Sequence, residues 1–369
     1  MKWTVPFIDF NKQFSLFKKQ YISDFTSVMS RGDFTLRKDV KIFEERLAKY
    51  LKVKYVLGVN SGTDALFLSL GSLGLKKGSE IISVGHTFIA TIAAIAHTGH
   101  KPIICDVSKD YNIDVTKIEK LITKKTKAIV PVHLNGRSCD MDKIMKIAKK
   151  YNLMVVEDSA QSLGAKFKNK MVGTFGKSGC FSLHPLKSLG CAGDGGFIAT
   201  NDKNFYKLIH RLRNHGQLNR NDIKHYGFCS RLDNLQAALL NTKFKTFSSN
   251  VIKRRKIASI YSKGLKNLPL ILPDSFFDKK FFDTYNSYVI RTSNQKKLIQ
   301  FLKDKKIETL INWPKPIYKN KGLGIKTGPL PMTEKIVKEI VSLPIYPEMT
   351  NKQIFYVVKS ISQFFNQEN

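Results

Sequence analysis

The chain contains, at residues 154 to 161, the sequence Met154-Val155-Val156-Glu157-Asp158-Ser159-Ala160-Gln161, in which an apolar run ends in two carboxylates. A short apolar run rich in valine is typical of a buried β-strand. In open α/β sheets, ligands bind beyond the carboxyl ends of the strands, so Asp158 is in the right place to meet one. Its carboxylate suits a protonated ring nitrogen, and Gln161 suits a neighbouring ring oxygen. An Asp that caps a following helix fits the same pattern equally well.

Similar apolar runs recur between residues 54 and 200 and alternate with longer amphipathic segments. The predicted strands are Tyr55–Val59, Glu80–Val84, Pro102–Asp106, Ala128–His133 and Leu153–Glu157. Helices are predicted between them, for example at Ala65–Leu73 and Met141–Lys150. Strands that alternate with helices indicate an α/β fold with a doubly wound sheet flanked by helices.

The character of the sequence changes near residue 245. A long basic helical stretch, about Leu232 to Leu265, leads into a segment that contains prolines at positions 269, 273, 314, 316 and 344. Such a change is typical of a domain boundary. We therefore predict a large domain at residues 1–245 and a smaller α+β domain at residues 246–369.

Composition limits the class of protein. The chain has 369 residues, of which 42% are hydrophobic, enough to fill an ordinary buried core. No apolar run reaches the roughly 18 residues that a membrane helix needs, so we expect a cytoplasmic protein with neither signal peptide nor membrane anchor. The five cysteines are scattered and lack the paired spacing of a zinc site, which indicates reduced thiols and no bound metal.

The net charge of +33 is extreme. Either a phosphate-bearing partner or a proteome whose base composition favours lysine codons would explain it. The excess is nearly all lysine and is spread along the whole chain, which favours the second explanation. We therefore expect no nucleic-acid partner.

A second motif follows the predicted strand 55–59 and reads Val59-Asn60-Ser61-Gly62-Thr63-Asp64-Ala65-Leu66. Unpaired backbone N–H groups and the positive dipole end make such a helix start suitable for a phosphate. Gly62 permits close approach, and Thr63 adds a hydroxyl. An ordinary Ser/Thr helix cap is the alternative.

A third motif surrounds a lysine and reads Gly179-Cys180-Phe181-Ser182-Leu183-His184-Pro185-Leu186-Lys187-Ser188-Leu189-Gly190, followed by Cys191-Ala192-Gly193-Asp194-Gly195-Gly196. A lysine just before a glycine-rich turn can reach inward while the backbone bends around a ligand. In a chain so rich in lysine, a solvated surface residue and an ordinary turn are the alternatives.

The three motifs occur in a recognisable order and spacing. The chain resembles the DegT/StrS family of sugar aminotransferases, which share the fold type I architecture of pyridoxal 5'-phosphate enzymes, a doubly wound mixed sheet with a smaller C-terminal domain. The resemblance extends from Val5-Pro6-Phe7-Ile8-Asp9 to Ser342-Leu343-Pro344-Ile345-Tyr346-Pro347. Further matching pieces are Phe43-Glu44 with Ala48 and Tyr50, Thr87-Phe88 with Ala90-Thr91, Arg213-Asn214-His215-Gly216, and Ser230-Arg231-Leu232-Asp233 with Gln236-Ala237-Ala238. One such piece would be weak, but the ordered set is specific.

The resemblance implies a role for each candidate residue. Lys187 stands where the family's cofactor-bearing lysine stands, and Asp158 where the partner of the pyridine nitrogen stands. Gln161 would contact the phenolic oxygen of the ring. Phe88 would stack on the ring, although elsewhere a Phe at such a position is usually core packing. Three further residues would hold the phosphate: Gly62, Thr63 and Ser182.

The resemblance also implies an activity and an assembly. The expected reaction transfers an amino group from glutamate to the ketone of a nucleotide-linked keto-deoxysugar, for amino-sugar and surface-polysaccharide biosynthesis. The expected assembly is a homodimer with active sites at the subunit interface. Whether the ketone is at C3 or C4, and whether the carrier is UDP, dTDP or GDP, stays open, as does a cyclitol acceptor. Alternatives are a related sugar dehydratase, against which Lys187 argues because those relatives carry His there, and a non-catalytic regulatory protein.

The sequence departs from the family pattern at two places. At the first, Leu36-Arg37-Lys38 occupies the place of the family's Gly ahead of Phe43-Glu44. The second lies before the Ser-Arg pair. The family usually has Gly-x-Asn before the Ser-Arg pair, and that Asn reaches the cofactor phosphate of the other subunit. Here Gly227-Phe228-Cys229-Ser230-Arg231 places Cys229 at that position. A thiol is a poor hydrogen-bond donor, which puts the cross-subunit contact in doubt.

Overall fold

The computed structural model describes residues 2–273 and 278–368. Its helices are α1 (Phe10–Arg31), α2 (Lys38–Leu51), α3 (Gly62–Gly71), α4 (Ile89–His97), α5 (Val115–Ile118), α6 (Met141–Lys150), α7 (Lys203–Leu212), α8 (Asn234–Phe244), α9 (Phe247–Leu265), α10 (Gln295–Asp304), α11 (Pro331–Ile336) and α12 (Asn351–Glu368). Its strands are β1 (Tyr55–Val59), β2 (Glu80–Val84), β3 (Lys101–Cys105), β4 (Thr126–Ile129), β5 (Met154–Asp158), β6 (Lys166–Phe167), β7 (Lys170–Met171), β8 (Ser178–Ser182), β9 (Gly196–Thr200), β10 (Gln217–Asn219), β11 (Asp222–Ile223), β12 (Phe281–Phe282), β13 (Tyr288–Arg291) and β14 (Ile340–Leu343). Across these residues, no helix is both long and apolar enough to cross a membrane.

The central sheet has seven strands in the described part of the chain, in the order β1-β9-β8-β5-β4-β2-β3. Strand β9 is antiparallel to both of its neighbours, and the remaining pairs are parallel. The strands other than β9 therefore all run in one direction. Their carboxyl ends meet at a single edge, where the loops that follow them converge. The predicted fold class, a mixed doubly wound sheet flanked by helices, is confirmed.

The apolar runs predicted as strands all form strands, with ends that shift by a few residues. Strands β1 and β2 have the predicted bounds, whereas β4 ends at Ile129 and not at His133. Beyond Ile129 the chain still lies beside β5, because the N–H of His133 donates to the Asp158 carbonyl at 2.9 Å. Helix α3 begins at Gly62, three positions before the predicted start, so the phosphate motif itself forms its first turn.

The predicted continuous helix from Leu232 to Leu265 is wrong, because the chain forms two helices, α8 and α9. The helical conformation is interrupted at Thr246, whose φ and ψ are −105° and 0°. The interruption lets Phe244 and Phe247 stack on each other, with ring centroids 5.9 Å apart, and lets both contact Tyr50 edge to ring. Aromatic packing against α2 thus accounts for a break that the sequence pattern did not show.

Residues after the break form a hydrophobic cluster of their own. It includes Tyr261, Tyr288, Leu298 and Val357, all fully buried, and it also takes in Val5 from the N-terminus. The central sheet is covered by other clusters, built mainly from residues before 245. The domain boundary at residue 245 stays a prediction.

Candidate active site

A cavity of about 410 Å³ lies at the edge of the central sheet where β1, β2, β5 and β8 end. It is formed by the loops and helix starts that follow these strands. All the residues that the sequence predicted for the site line it: Gly62, Thr63, Phe88, Asp158, Gln161, Ser182 and Lys187. The common direction of the strands therefore gathers the three sequence motifs in one place, while the roles of their residues stay predictions.

The start of α3 forms one side of this cavity. The Ser61 side chain caps the helix and accepts a hydrogen bond from the Asp64 N–H at 3.0 Å. The motif therefore forms an ordinary Ser helix cap and also lines the cavity. A first helical turn leaves backbone N–H groups without partners in the helix, here on Gly62 and Thr63. A Cβ atom on Gly62 would lie 2.8 Å from the Cβ of Ser182, so only glycine keeps this part of the cavity open.

The Asp158 carboxylate lies at the bottom of the site and is only 5% exposed. No helix follows it, so it is not a helix cap; its Oδ1 accepts a hydrogen bond from the Ala160 N–H at 3.1 Å. Its Oδ2 accepts one from the Thr91 hydroxyl at 2.8 Å. Burial raises the pKa of Asp158, and the hydrogen bonds from Thr91 and Ala160 and the charge of Lys187 oppose that rise.

A chain of hydroxyl groups supports Asp158. The Thr91 hydroxyl gives its single proton to the carboxylate, so the contact of 2.7 Å between Thr87 and Thr91 must have Thr87 as the donor. Both threonines belong to the segments that resemble the family, but the sequence indicated no role for either of them. The sequence signal for this contact was the spacing of four residues between the two threonines, across the start of α4.

Lys187 lies in the loop that follows β8. Hydrogen bonds within this loop shape it, including Lys187 N–H to the His184 carbonyl and Cys191 N–H to the Leu183 carbonyl, each 2.8 Å. The lysine side chain enters the cavity and is partly exposed there. Burial lowers its pKa, and the negative charge of Asp158 opposes the change. A lysine with a lowered pKa is more often neutral and hence a better nucleophile.

Two other predicted residues have environments that suit their expected contacts. The Oε1 atom of Gln161 accepts the Asn135 N–H at 2.9 Å, which leaves the amide N–H groups of Gln161 as donors. Phe88 is 54% exposed at the cavity and lies 6.4 Å from Trp313, ring centroid to ring centroid. A ring so exposed is not core packing, so the common interpretation of such a Phe does not apply here.

The C-terminal part of the chain completes the cavity with residues that the sequence did not indicate: Asn286, Ser287, Leu310, Asn312 and Trp313. Trp313 has a φ of 56°, an uncommon conformation for a large side chain and a sign of local strain. No motif marks these residues, because they are separated in sequence from the strands whose ends they approach.

His184, which belongs to the lysine motif, lines the cavity, whereas Cys229, which departs from the family pattern, does not. His184 lines the cavity, and its Nδ1 accepts the Leu186 N–H at 3.2 Å, so it contacts the backbone and the cavity together. Burial lowers the pKa of His184. Cys229 is exposed, does not line the cavity of its own chain, and receives a hydrogen bond from Arg231 at 3.2 Å. Its predicted position near a partner's phosphate stays a prediction.

Curated relatives match the chain over nearly its whole length. A protein of Geobacillus stearothermophilus named "Pleiotropic regulatory protein" is 37% identical, with 98% of both chains covered. The dTDP-3-amino-3,6-dideoxy-alpha-D-galactopyranose transaminase of Aneurinibacillus thermoaerophilus is 38% identical, with 98% of this chain and 99% of the relative covered.

Solved structures agree with these matches. S. venezuelae DesV, crystallised in complex with a ketimine intermediate, superposes with a TM-score of 0.95 at 32% identity, covering 98% of this chain and 99% of DesV. NtdA of Bacillus subtilis, with bound cofactor PMP, superposes with a TM-score of 0.90 at 29% identity, covering 99% and 86%. Residues 16–362 match the family model of the DegT/DnrJ/EryC1/StrS aminotransferases. The chain therefore belongs to the DegT/DnrJ/EryC1/StrS aminotransferase family.

Proposed function

We propose that this protein is a pyridoxal-phosphate-dependent aminotransferase that transfers an amino group from glutamate to the ketone of a nucleotide-linked sugar. The observation that carries the proposal is the pairing, in one cavity, of the buried Asp158 carboxylate with Lys187, whose pKa is lowered. An aminotransferase of this kind needs a lysine that holds the cofactor and a carboxylate that contacts the nitrogen of the cofactor ring. The family to which the chain belongs supports the same reaction class.

The residues around the cavity fit the cofactor. The space that a Cβ on Gly62 would fill lies between the start of α3 and Ser182, beside N–H donors and the Thr63 hydroxyl. Such a helix start suits a phosphate dianion. Asp158 suits a protonated ring nitrogen, and the free N–H groups of Gln161 suit the phenolic oxygen of the ring.

When bound, pyridoxal phosphate supplies an electrophilic carbon for the amine and a ring that accepts the electrons left when an α-proton departs. Lys187 would hold the cofactor through its amine, whose lowered pKa favours the neutral form, and the same amine would accept and then donate a proton at the reacting carbons. Asp158 would hold the ring nitrogen and keep it protonated, because an adjacent negative charge favours the cationic form. Thr91 favours the ionised form of the Asp158 carboxylate by donating a hydrogen bond to it, which opposes the effect of burial on the pKa of Asp158.

A nucleotide-linked keto-sugar is the proposed acceptor class. The relative from Aneurinibacillus thermoaerophilus is named for a dTDP-linked amino sugar, and other relatives are named for UDP- and GDP-linked sugars. Each of these aligned relatives is at least 33% identical to the chain across more than nine tenths of its length. The acceptor is therefore proposed as a nucleotide-linked keto-sugar, and experiment will identify the nucleotide and the position of the ketone.

A homodimer is proposed as the working unit, because large apolar side chains lie exposed on two surface elements. One is the helix α1 with Phe10, Phe14, Phe25 and Met29, each close to half exposed. The other is the hairpin β10–β11 and the residues after it, with exposed side chains at Leu218, Ile223, Tyr226 and Phe228. Apolar clusters of this kind are typical of protein interfaces.

A regulatory role is the second candidate, favoured by the name of the Geobacillus stearothermophilus relative, "Pleiotropic regulatory protein". The two candidates differ in turnover. A binding protein would hold the cofactor and yield no aminated sugar, whereas the proposed enzyme would yield one.

The test offers glutamate and a panel of UDP-, dTDP- and GDP-linked 3-keto and 4-keto sugars to the purified protein, with products identified by mass spectrometry. We expect an aminated product from at least one acceptor. Lys187→Ala should abolish turnover while the protein stays folded, because one side chain is removed from a site built mainly of other groups. The matched control is Lys177→Ala, which removes a lysine that pairs with Asp202 outside the cavity. Borohydride reduction should attach the cofactor to Lys187, and label on another lysine would overturn the assignment.

A further inference from the structure

The side chain of Asn286 is held in one orientation beside the lysine loop. Its Oδ1 atom accepts hydrogen bonds from the Ser188 backbone N–H at 3.2 Å and from the Ser188 hydroxyl at 3.3 Å. A backbone N–H can only donate, so the atom that faces it must be the carboxamide oxygen. The N–H2 group of Asn286 is therefore the end that remains for another partner.

The turn that carries Asn286 is fixed by backbone contacts. The Thr284 N–H donates to the Gly136 carbonyl at 2.8 Å, and Arg254 donates to the Tyr285 carbonyl at 3.4 Å. Tyr285 has a φ of 51°, and a Cβ on Gly136 would lie 2.7 Å from the Asn286 nitrogen. The backbone around Gly136 and the turn at residues 284–286 are thus in close contact, and these contacts fix the position of the Asn286 side chain.

The Asn286 amide lines a cavity that contains few cations. Within residues 2–273 and 278–368, the one partner of its Nδ2 atom is the Ser287 hydroxyl at 3.5 Å, the long limit of a hydrogen bond. Among the described residues that line the cavity, Lys187 is the only lysine or arginine. A carboxylate that enters the cavity of one chain therefore finds neutral N–H donors as its partners once Lys187 is engaged in chemistry.

We propose that Asn286 binds the amino donor, with its N–H2 group donating to the α-carboxylate of the incoming amino acid; this inference rests on the proposed function. The α-carboxylate is bonded to the carbon that carries the transferred nitrogen, so it must lie close to Lys187. Asn286 is hydrogen-bonded to Ser188, the residue that follows Lys187, and it lines the same cavity as Lys187, so its amide lies on the side of the cavity next to the lysine loop. A hydrogen bond to a charged acceptor is the strongest that a neutral amide can make.

The test uses Asn286→Asp, which keeps the acceptor for Ser188 and replaces the N–H2 group by a negatively charged oxygen. The probe is α-methylglutamate, a donor analogue without an α-hydrogen, titrated calorimetrically into the cofactor-loaded protein. We expect its dissociation constant to rise at least about 10-fold. The dissociation constant for UDP or dTDP, which lack an amino-acid carboxylate, should stay within about 2-fold.

Ser188→Ala is the matched control. It removes one donor to Oδ1 and leaves the Asn286 N–H2 group in the cavity, so analogue affinity should change by less than about 3-fold. An equal loss in Ser188→Ala and Asn286→Asp would mean that Asn286 only holds the lysine loop, which overturns the inference. Unchanged analogue affinity in Asn286→Asp, or no analogue binding by the wild type, would overturn it as well. Failure of the proposed function appears separately, as a wild-type protein that yields no aminated sugar.

Discussion

Thr91→Val tests the hydroxyl chain beneath the site. Valine has nearly the size and shape of threonine but cannot donate a hydrogen bond to Asp158 or accept one from Thr87. The change therefore removes the 2.8 Å bond to the carboxylate and leaves the buried Thr87 hydroxyl without its acceptor. Packing around α4 should stay intact.

The expected cost depends on pH. A hydrogen bond to a charged group contributes about 2 kcal/mol, and the unpaired Thr87 hydroxyl adds about 1 kcal/mol. Burial raises the pKa of Asp158 in the folded protein above its value in the unfolded chain. The contribution of Asp158 to the free energy of unfolding is therefore full below the unfolded pKa and is lost as pH rises through the folded pKa. Removing a hydrogen bond that lowers this pKa raises it further. Thr91→Val should therefore lose about 3 kcal/mol near pH 8 and about 2 kcal/mol at an acid pH below the raised pKa of Asp158, because a hydrogen bond to a neutral acceptor still contributes about 1 kcal/mol.

Urea unfolding of the cofactor-free protein at both pH values measures these free energies. The matched control is Thr98→Val, whose hydroxyl donates to the neutral Ala94 carbonyl at 2.8 Å. That variant should lose about 1 kcal/mol at either pH. The reasoning would be refuted if Thr91→Val cost the same at both pH values, or cost more in acid.

Further predictions concern the phosphate site and the surface charge. Gly62→Ala should destabilise the protein by about 1–3 kcal/mol and weaken cofactor binding, because the new Cβ would lie 2.8 Å from Ser182 Cβ; equal cofactor dissociation constants for the two proteins would contradict this. Cys229→Asn should tighten cofactor binding by about 1.5 kcal/mol with little change in turnover, and an unchanged or weaker constant would mean that residue 229 does not face a phosphate. Nucleic-acid binding, measured by fluorescence anisotropy, should be weak and should disappear as salt rises; tight sequence-selective binding at physiological salt would show that the charge serves a polymer.

Much of the site was predictable because its chemistry is concentrated in short segments. Gly62 and Thr63 follow one strand, Asp158 and Ser182 end two others, and local patterns locate strand ends well. The predicted helix across residue 246 was wrong for the opposite reason. Its interruption depends on Phe244 and Phe247 packing against Tyr50, a contact between segments that are distant in sequence.

The sequence by itself determined the α/β architecture and the order of the three motifs, because apolar periodicity and strand-end polarity are local properties. The residues that would hold a cofactor are what the resemblance to the family implies. Only the tertiary structure decided that Thr91 supports the Asp158 carboxylate and that Asn286 is hydrogen-bonded to Ser188 at the cavity that Lys187 also lines. Those contacts join residues brought together by the parallel strand directions and by the return of the C-terminal segment to the sheet edge. Long-range packing of this kind leaves no periodic trace in the sequence, since either partner alone resembles an ordinary polar residue.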